Sequence, residues 1–394
     1  MLNFDIIALL VLITFLSIFL YKKREDVDVT GKFPFFYAVM YRAKWGINFM
    51  KNFAEKHKKL LNIVQYISIT VGLLSMLFIS IHLIYMTIDM LLQPDVVVPA
   101  AGVILPVETS WSFYVPFMYF IISITYLMIV HEGMHGIFMK YFGLKIKNTG
   151  FAFFSLLVPI LPGAFVEPDE EELEKAPLKD RLAVLSGGSF ANIVSAALFL
   201  LISFLLVTAT DPLTYDEVRI SNIMEDTPAY HANVSQSTLY GMTYNDTYNE
   251  LNDFEYFLSL TESLKPNQSI TLHTDETNKT FTLTSHPEDS NRGYMGMNFE
   301  SEQKLKEQFS NYQIPFAALN WIMGLFFWLF VINFGVGLMN LVPLGPLDGG
   351  LMLKSILDDY FNLDENKSNA ILSIISLLFI AILAFHIILV PAFF

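Results

Sequence analysis

The sequence predicts a polytopic α-helical membrane protein that carries one inserted α+β domain. Two bulk properties predict the membrane part: 54% of the 394 residues are hydrophobic, and the mean hydropathy is +0.47. Both values lie above the range usual for soluble globular chains. A third observation predicts the inserted domain, because the long apolar runs give way to short alternating patterns between residues 211 and 312.

Six apolar segments are long enough to cross about 30 Å of hydrocarbon at a rise of roughly 1.5 Å per residue. The first segment lacks the basic start and the small-residue cleavage site of a signal peptide. It therefore predicts a retained anchor whose N-terminus lies outside. The predicted spans are residues 3–21, 61–88, 113–139, 183–208, 315–343 and 370–392.

The charge distribution predicts how these spans are oriented. Three connecting segments, 22–60, 140–182 and 344–369, would face the cytosol, and they hold 18 of the 24 Lys and Arg residues. This bias satisfies the positive-inside rule. The Lys and Arg residues form no basic patch, so no nucleic-acid partner is predicted.

The acidic block at 211–312 is predicted to be an extracytosolic α+β domain. It has a net charge of −11 and contains short strand patterns around an amphipathic helix, FEYFLSLTESLK. Glycosylation sequons support an exterior location. They start at Asn233, Asn245, Asn267 and Asn278.

The remaining chain divides into three parts. Residues 1–112 hold N-terminal transmembrane helices and a cytosolic segment, and 113–210 and 313–394 hold the predicted core. The cytosolic segment at 33–59 mixes aromatic and basic residues, which predicts an interfacial amphipathic helix attracted to anionic membrane lipid.

The stretch HEGMH at 131–135 predicts a metal site at the end of an apolar run. On a helix, His131 and His135 are four positions apart and can both reach one ion. Glu132 is rotated about 100° from His131, where it can hold a metal-activated water without ligating the metal. Ionisable groups at membrane depth are costly, which favours a functional role.

Two histidines leave a catalytic zinc ion one protein ligand short. The chain contains no Cys, so the third ligand must be His, Asp or Glu. Asp348 is the conspicuous candidate, because NLVPLGPLDGG at 340–350 must break a helix and can turn the carboxylate inward. The alternative is an ordinary cytosolic turn, for which Pro and Asp-Gly are also typical.

Three motifs together resemble the site-2 protease family of intramembrane zinc metalloproteases: HEGMH, SGGSFANIV at 186–194, and NLVPLGPLDGG. The resemblance implies that His131, His135 and Asp348 ligate Zn²⁺ and that Glu132 is the general base. It also implies that Asn340 and Asn192 hold the substrate peptide or its oxyanion. These roles are expectations to be compared with the structure.

Two further segments are similar to parts of that family. NTGFAFFSLLVPILPGAFVEP at 148–168 resembles its re-entrant β-hairpin, on whose edge an unwound substrate would pair as an extra strand. Gly163 is expected at the bend and is included among the substrate-binding residues. VRISNIMEDTPAYHANV and GYMGMNF resemble the start and end of a PDZ domain.

The sequence thus predicts a metalloendopeptidase that cuts transmembrane protein substrates inside the membrane. One alternative is a catalytically inactive metal-binding scaffold or sensor, although such a protein would not need Glu132. Another is a metal-ion transporter, although transporters distribute ionisable residues along a path and here they converge at one level. His82 and His386 have no acidic or histidine partner at ligand spacing, and they are interpreted as packed or interfacial.

Overall fold

The structure is a computed structural model that describes residues 4–23, 27–32, 36–93, 100–106, 112–156, 158–251, 253–287 and 289–389. The chain divides into two compact units. The first comprises residues 1–203 and 324–394, and the second comprises residues 204–323. The boundaries fall inside two long helices.

Helices dominate the first unit. Its shorter helices are α2, α5 and α10, and a short π-helix, Phe385–Leu389, continues the last long helix. The helices of this unit, including the two that continue into the second unit, are α1 (Phe4–Lys22), α2 (Ile47–Lys56), α3 (Lys58–Leu92), α4 (Phe117–Tyr141), α5 (Glu170–Glu174), α6 (Leu178–Thr210), α9 (Gln313–Met339), α10 (Asp348–Asp359) and α11 (Glu365–Ala384).

Within the described part of the chain, five helical segments are long and apolar enough to cross a membrane, so the protein is a multi-pass membrane protein. They correspond to α3, α4, α6, α9 and α11, together with short flanking turns. Large apolar side chains such as Leu77, Leu201 and Leu377 are exposed on these helices, as expected where lipid rather than water is the solvent. The remaining predicted span, residues 3–21, coincides with α1, whose apolar part, Leu9–Phe19, is shorter, and its crossing stays a prediction.

A four-stranded antiparallel sheet lies in the same unit, in the order β1-β2-β5-β6. Its register pairs Tyr37 with Ser155 and Thr149 with Val166. A separate parallel pair joins β3 and β4. The six strands are β1 (Val27–Lys32), β2 (Phe36–Ala43), β3 (Val103–Leu105), β4 (Ser112–Tyr114), β5 (Ile146–Leu156) and β6 (Val158–Pro168).

The helix predicted over 33–59 is only partly correct. Residues 36–43 form β2, and the helix α2 begins at Ile47 after Gly46, whose φ is +76°. FYAVMYRA places Tyr37, Val39 and Tyr41 on one face of an extended chain, and such aromatic and β-branched residues favour a strand when a partner is available. Strand β5 supplies that partner. Because β5 is distant in sequence, no local pattern within 33–59 indicates the pairing.

Strands β5 and β6 form the predicted hairpin over 148–168. The pairing extends as far as Leu156 and Val158, and residue 157 is outside the described residues. The expectation that Gly163 makes the bend is wrong: Gly163 lies inside β6 and pairs with Ala152. The two strands stay paired for several residues beyond the glycine, because the strand-forming sequence continues on both sides.

The second unit is an α+β domain. Its main sheet has the order β11-β10-β8-β7-β14, with β9 paired to β8. The sheet packs against α8 through a core that includes Val218, Met242, Phe257 and Leu272. The elements are β7 (Thr214–Ile223), α7 (Pro228–His231), β8 (Thr238–Tyr244), β9 (Thr247–Glu250), α8 (Phe254–Ser263), β10 (Ser269–Thr274), β11 (Lys279–Thr282), β12 (Thr284–Ser285), β13 (Gly293–Tyr294) and β14 (Met297–Leu305).

His386 is a packing residue in the first unit. It is fully buried, its Nδ1 accepts from the backbone N–H of Ala100 at 3.3 Å, and its Nε2 lies 3.0 Å from the Thr87 hydroxyl. One ring nitrogen therefore contacts the 100–106 segment, and the other contacts α3. His82 is half-buried and its ring lies parallel to that of Phe78.

Candidate metal centre and active site

The two histidines of HEGMH lie on one face of α4. The helix runs from Phe117 to Tyr141 without a proline or a glycine before position 133, and its 3.6-residue period turns positions 131 and 135 to the same side. Their ring centroids are 4.7 Å apart. Both side chains are buried, so two imidazoles share a protected site within a membrane helix.

Asp348 is the first residue of α10, and its side chain reaches this site. Its Oδ2 lies 3.3 Å from Nε2 of His131 and 3.5 Å from Nε2 of His135. One potential ligand atom from each of the three residues lies within 4.8 Å of the other two, and no other such group of three exists among the described residues. The structure therefore brings together the three residues that the sequence nominated.

Two glycines allow Asp348 to take this position. A Cβ atom on Gly349 would lie 2.2 Å from the carbonyl oxygen of Leu341, and one on Gly350 would lie 2.2 Å from that of Leu344. Gly349 also donates its backbone N–H to the carbonyl of Asn340 at 2.9 Å. The start of α10 is thus packed against the loop that follows α9, which fixes the depth of the carboxylate.

The carboxylate of Asp348 is kept in its charged form. Burial opposes this charge, but the imidazoles of His135 and His131 outweigh burial and hold the pKa of Asp348 below its ordinary value. The charged carboxylate is the form that ligates a metal ion.

Helix α6 supplies the groups that surround the three residues. The carbonyl of Val184 lies 2.7 Å from Nδ1 of His135, and Nδ2 of Asn192 lies 3.0 Å from Nδ1 of His131. The hydroxyl of Ser189 donates to Oδ2 of Asp348 at 3.4 Å. The ring nitrogens facing away from Asp348 are therefore both occupied, as is usual around histidines that bind a metal.

Gly188 leaves the space that a metal ion would need. A Cβ atom at this position would lie 2.4 Å from Nε2 of His135 and 2.7 Å from Nε2 of His131. Bonds of about 2.0–2.1 Å at tetrahedral angles place the ligand atoms of zinc roughly 3.3 Å apart, which agrees with the two distances from Asp348. Two imidazoles, one carboxylate and this cradle fit a zinc ion.

Glu132 lies beside the three residues without joining them. Its side chain is half-buried, and its Oε2 accepts a hydrogen bond of 2.9 Å from the backbone N–H of Val166 on β6. The contact aims one carboxylate oxygen at the edge strand of the sheet. Glu132 is thus placed between the candidate metal ligands and that strand.

The predicted substrate-binding residues are not brought together. Asn340 is half-buried in the loop between α9 and α10. Asn192 is fully buried and contacts His131, and Gly163 lies within β6. No contact in the structure tests a role in substrate binding for any of the three.

Several contacts around the site were not predicted from the sequence. Asn192 was expected as a substrate-binding residue and not as a neighbour of His131, and Gly188 and Ser189 were not singled out. All three residues fall within four positions of one another in SGGSFANIV, and this helical spacing was the available signal for a face directed at the site. Val184 and Val166 contribute backbone atoms, which leave no signature in the sequence.

The fold and the site define a multi-pass membrane protein with a buried His-His-Asp site suited to a metal ion. The family model described as peptidase family M50 matches residues 119–383, and these include all three residues and Glu132. The chain belongs to peptidase family M50, the site-2 protease family. A similar protein is "Uncharacterized protein MJ0971" of Methanocaldococcus jannaschii, which is 28% identical over 346 residues, 87% of this chain and 83% of the relative.

Proposed function

We propose that the protein is a zinc-dependent intramembrane endoprotease that cuts peptide bonds within or close to the transmembrane segments of other membrane proteins. The observation that carries this proposal is the convergence of His131, His135 and Asp348 beside Glu132. A base next to two histidine ligands on one helix is the arrangement of metallohydrolases. Membership in peptidase family M50 supports the same activity.

The proposed chemistry assigns the three ligands and Glu132 separate roles. A zinc ion held by His131, His135 and Asp348 would polarise the scissile carbonyl and acidify a water molecule. Glu132 takes a proton from the attacking water and returns it to the leaving amine. Its hydrogen bond with Val166 orients the carboxylate and leaves the second oxygen for proton transfer.

Strand β6 is proposed to hold the substrate as an added strand. It is the last strand of the four-stranded sheet among the described residues. The N–H of Val166 points to Glu132 and away from β5, so the N–H and C=O of Ala164, two residues earlier, face the same free side. A substrate segment unwound from its helix can pair there with its carbonyls exposed near the site, and Asn340 is proposed to assist in holding it.

An apolar cavity of about 720 Å³ lies between α3, α4 and α9. Ile124 on α4 and Met339 on α9 belong to its lining. His131 lies further along α4 than Ile124, and Asn340 directly follows Met339. This volume accommodates several apolar side chains. We propose that it receives part of a transmembrane substrate before cleavage.

The proposed orientation places the active site toward the cytosol and the second unit outside the cell membrane. The positive-inside charge distribution supports it, and the four sequon asparagines are all exposed. Lys51 and Glu55 lie exposed on α2, where basic neighbours would attract anionic lipid. The second unit is proposed to be a PDZ-like domain that gates access of substrate or binds a partner.

The substitution Glu132→Gln tests the proposed activity. The amide cannot accept the proton of water, so cleavage of a model transmembrane substrate should fall by at least about 100-fold, whereas the zinc content should stay at one ion per chain. Glu172→Gln on α5 removes a carboxylate outside the site and is the matched control, expected to retain both properties.

Each alternative function gives a different result in this experiment. An inactive scaffold or sensor binds zinc but shows no cleavage in the unmodified protein. A transporter moves zinc across vesicle membranes. In that case Glu132→Gln should change zinc transport and zinc binding together, and no cleavage is expected from either protein. Unchanged cleavage by Glu132→Gln would refute the proposed base.

A further inference from the structure

Asn192 is a fully buried polar residue in a membrane helix, and among the described residues its side chain makes one hydrogen bond, to a candidate metal ligand. Its Nδ2 lies 3.0 Å from Nδ1 of His131, whereas its Oδ1 is buried without a hydrogen-bond partner among the described residues. Across the helix interface, a Cβ atom on Gly337 would lie 3.1 Å from Cβ of Asn192. A buried amide whose oxygen lacks a hydrogen bond is costly, especially in a membrane helix. Its presence here therefore points to a function for the contact with His131.

The tautomer of His131 decides which amide atom must face the ring. A neutral imidazole carries one hydrogen, and the nitrogen without the hydrogen is the one that ligates a metal. When Nε2 of His131 faces the metal, Nδ1 carries the hydrogen and donates. The Nδ2 group of Asn192 also donates, so the present contact belongs to the other tautomer, in which Nε2–H points to Asp348.

The second histidine shows the arrangement that a bound metal requires. The Nδ1 atom of His135 faces the carbonyl of Val184 at 2.7 Å. A carbonyl can only accept, so this contact fixes the hydrogen on Nδ1 and leaves Nε2 free to ligate. At His131 the corresponding partner is an amide, whose oxygen and nitrogen exchange places when its plane turns by 180°.

We propose that Asn192 is a positioning residue of the metal site: its Oδ1 accepts the Nδ1–H of His131 in the metal-loaded protein and holds Nε2 toward the ion. This inference rests on the proposed metal site and adds a role different from the substrate contact expected from the sequence. The unpartnered Oδ1 is the atom that takes up this hydrogen bond. Helix α6 then supplies one acceptor to each histidine.

Two substitutions in the full-length protein test the proposal. Asn192→Leu has nearly the same size but cannot accept, and its affinity for Zn²⁺ should fall by about 10–100-fold in competition with a chromophoric chelator. Asn192→Asp keeps an acceptor and loses the donor, and its affinity should stay within a few-fold of the original. The absorption spectrum of bound Co²⁺ should change in the Leu variant and stay unchanged in the Asp variant.

A matched control is available on α9. Asn333 is also fully buried, but its Nδ2 donates to the carbonyl of Leu329 within its own helix at 2.7 Å. Asn333→Leu should therefore leave Zn²⁺ affinity unchanged. Thermal unfolding of the metal-free proteins checks folding, and if Asn192→Leu does not fold, Asn192→Ser replaces it because its hydroxyl is too short to reach Nδ1.

Three results would overturn the inference. Equal Zn²⁺ affinity in the original protein and Asn192→Leu would show that the amide does not position His131. A loss in Asn192→Asp as large as in Asn192→Leu would show that donation by Nδ2 is what matters. Unchanged affinity with a raised KM for cleavage would assign Asn192 to the substrate. Failure of the original protein to bind Zn²⁺ would instead refute the proposed metal site.

Discussion

At the scale of single residues, the site depends on a missing side chain as much as on those present. Gly188 faces the Nε2 atoms of His131 and His135, and a methyl group there would stand within 2.7 Å of each. Such a contact requires the imidazoles or the helix to move. Because protein interiors are close-packed, room for this methyl group must come from the space between the two imidazoles, which is the space that an ion would need.

Gly188→Ala is therefore expected to abolish stoichiometric zinc binding and to reduce cleavage to background, while the protein still folds. Zinc content after dialysis, measured by atomic emission, checks the expectation. Gly335→Ala is the matched control, since a Cβ atom at Gly335 meets nothing within 4 Å and the change should leave the zinc content unaltered. Full zinc occupancy in Gly188→Ala would mean that the ion lies elsewhere.

Individual site residues were predictable from the sequence where metal-binding or acid–base side chains occur at helical spacing or in a recognisable turn. His131, Glu132 and His135 stand together on one helical face, and the turn composition around Asp348 singles out its carboxylate. The pairing of Asp348 with the histidines is a long-range contact, across more than 200 residues, and no local pattern specifies it. The contact of Asn192 with His131 was not predicted, because burial and contact partner are tertiary properties.

At the scale of elements, the hairpin of β5 and β6 is one half of a larger sheet. Strand β2 covers the other edge of β5, β1 pairs with β2, and Nε of Arg42 on β2 lies 3.5 Å from Oε2 of Glu167 on β6. Among the described residues, β6 is therefore the edge strand next to Glu132. The sequence predicted the hairpin from its apolar strand-forming residues, but the strand β2 was read as helix because its partner is distant in sequence.

Ala164→Pro tests whether the free edge of β6 binds substrate. Proline removes the backbone N–H that faces away from β5, and a proline is tolerated at such an edge position. Cleavage should fall by about tenfold or more through a raised KM, with zinc content unchanged. Ala164→Ser retains the N–H and is the control. Equal KM values in the two variants would contradict strand addition at this residue.

The start of α10 gives a second test at this scale. Gly349→Ala would force a Cβ atom against the backbone carbonyls of Leu341 and Val342, and backbone atoms cannot move aside as a flexible side chain can. The helix should shift and withdraw Asp348, lowering zinc affinity by at least about tenfold.

Gly345→Ala in the same loop is the matched control, because the nearest atom to its Cβ is Oγ of Ser376 at 3.7 Å. Its zinc affinity should match that of the original protein. If Gly349→Ala also binds zinc normally, packing at the start of α10 does not set the position of the carboxylate.

At the scale of the whole molecule, composition and hydropathy predicted the membrane class and the location of the α+β unit. Among the described residues, five long apolar helices form most of the first unit. The second unit has its own sheet and buried core. The strands β8 and β9 were not predicted, because their polar and aromatic residues give a weak alternation that becomes a sheet only through pairing with β10 and β7.

The proposed orientation makes a prediction that the absence of cysteine renders straightforward to test. With no Cys in the chain, each introduced cysteine is the one reactive thiol. Glu55 is an exposed position on α2 in the first unit, and Glu262 is an exposed position on α8 in the second unit. Each is replaced by cysteine in turn. A membrane-impermeant maleimide should label Glu262→Cys in intact cells and label Glu55→Cys only after permeabilisation, because the positive-inside bias puts the basic segment around Glu55 in the cytosol. The cysteine-free protein is the background control. Labelling of Glu55→Cys but not Glu262→Cys in intact cells would invert the topology and place the opening of the metal site on the outer side of the membrane.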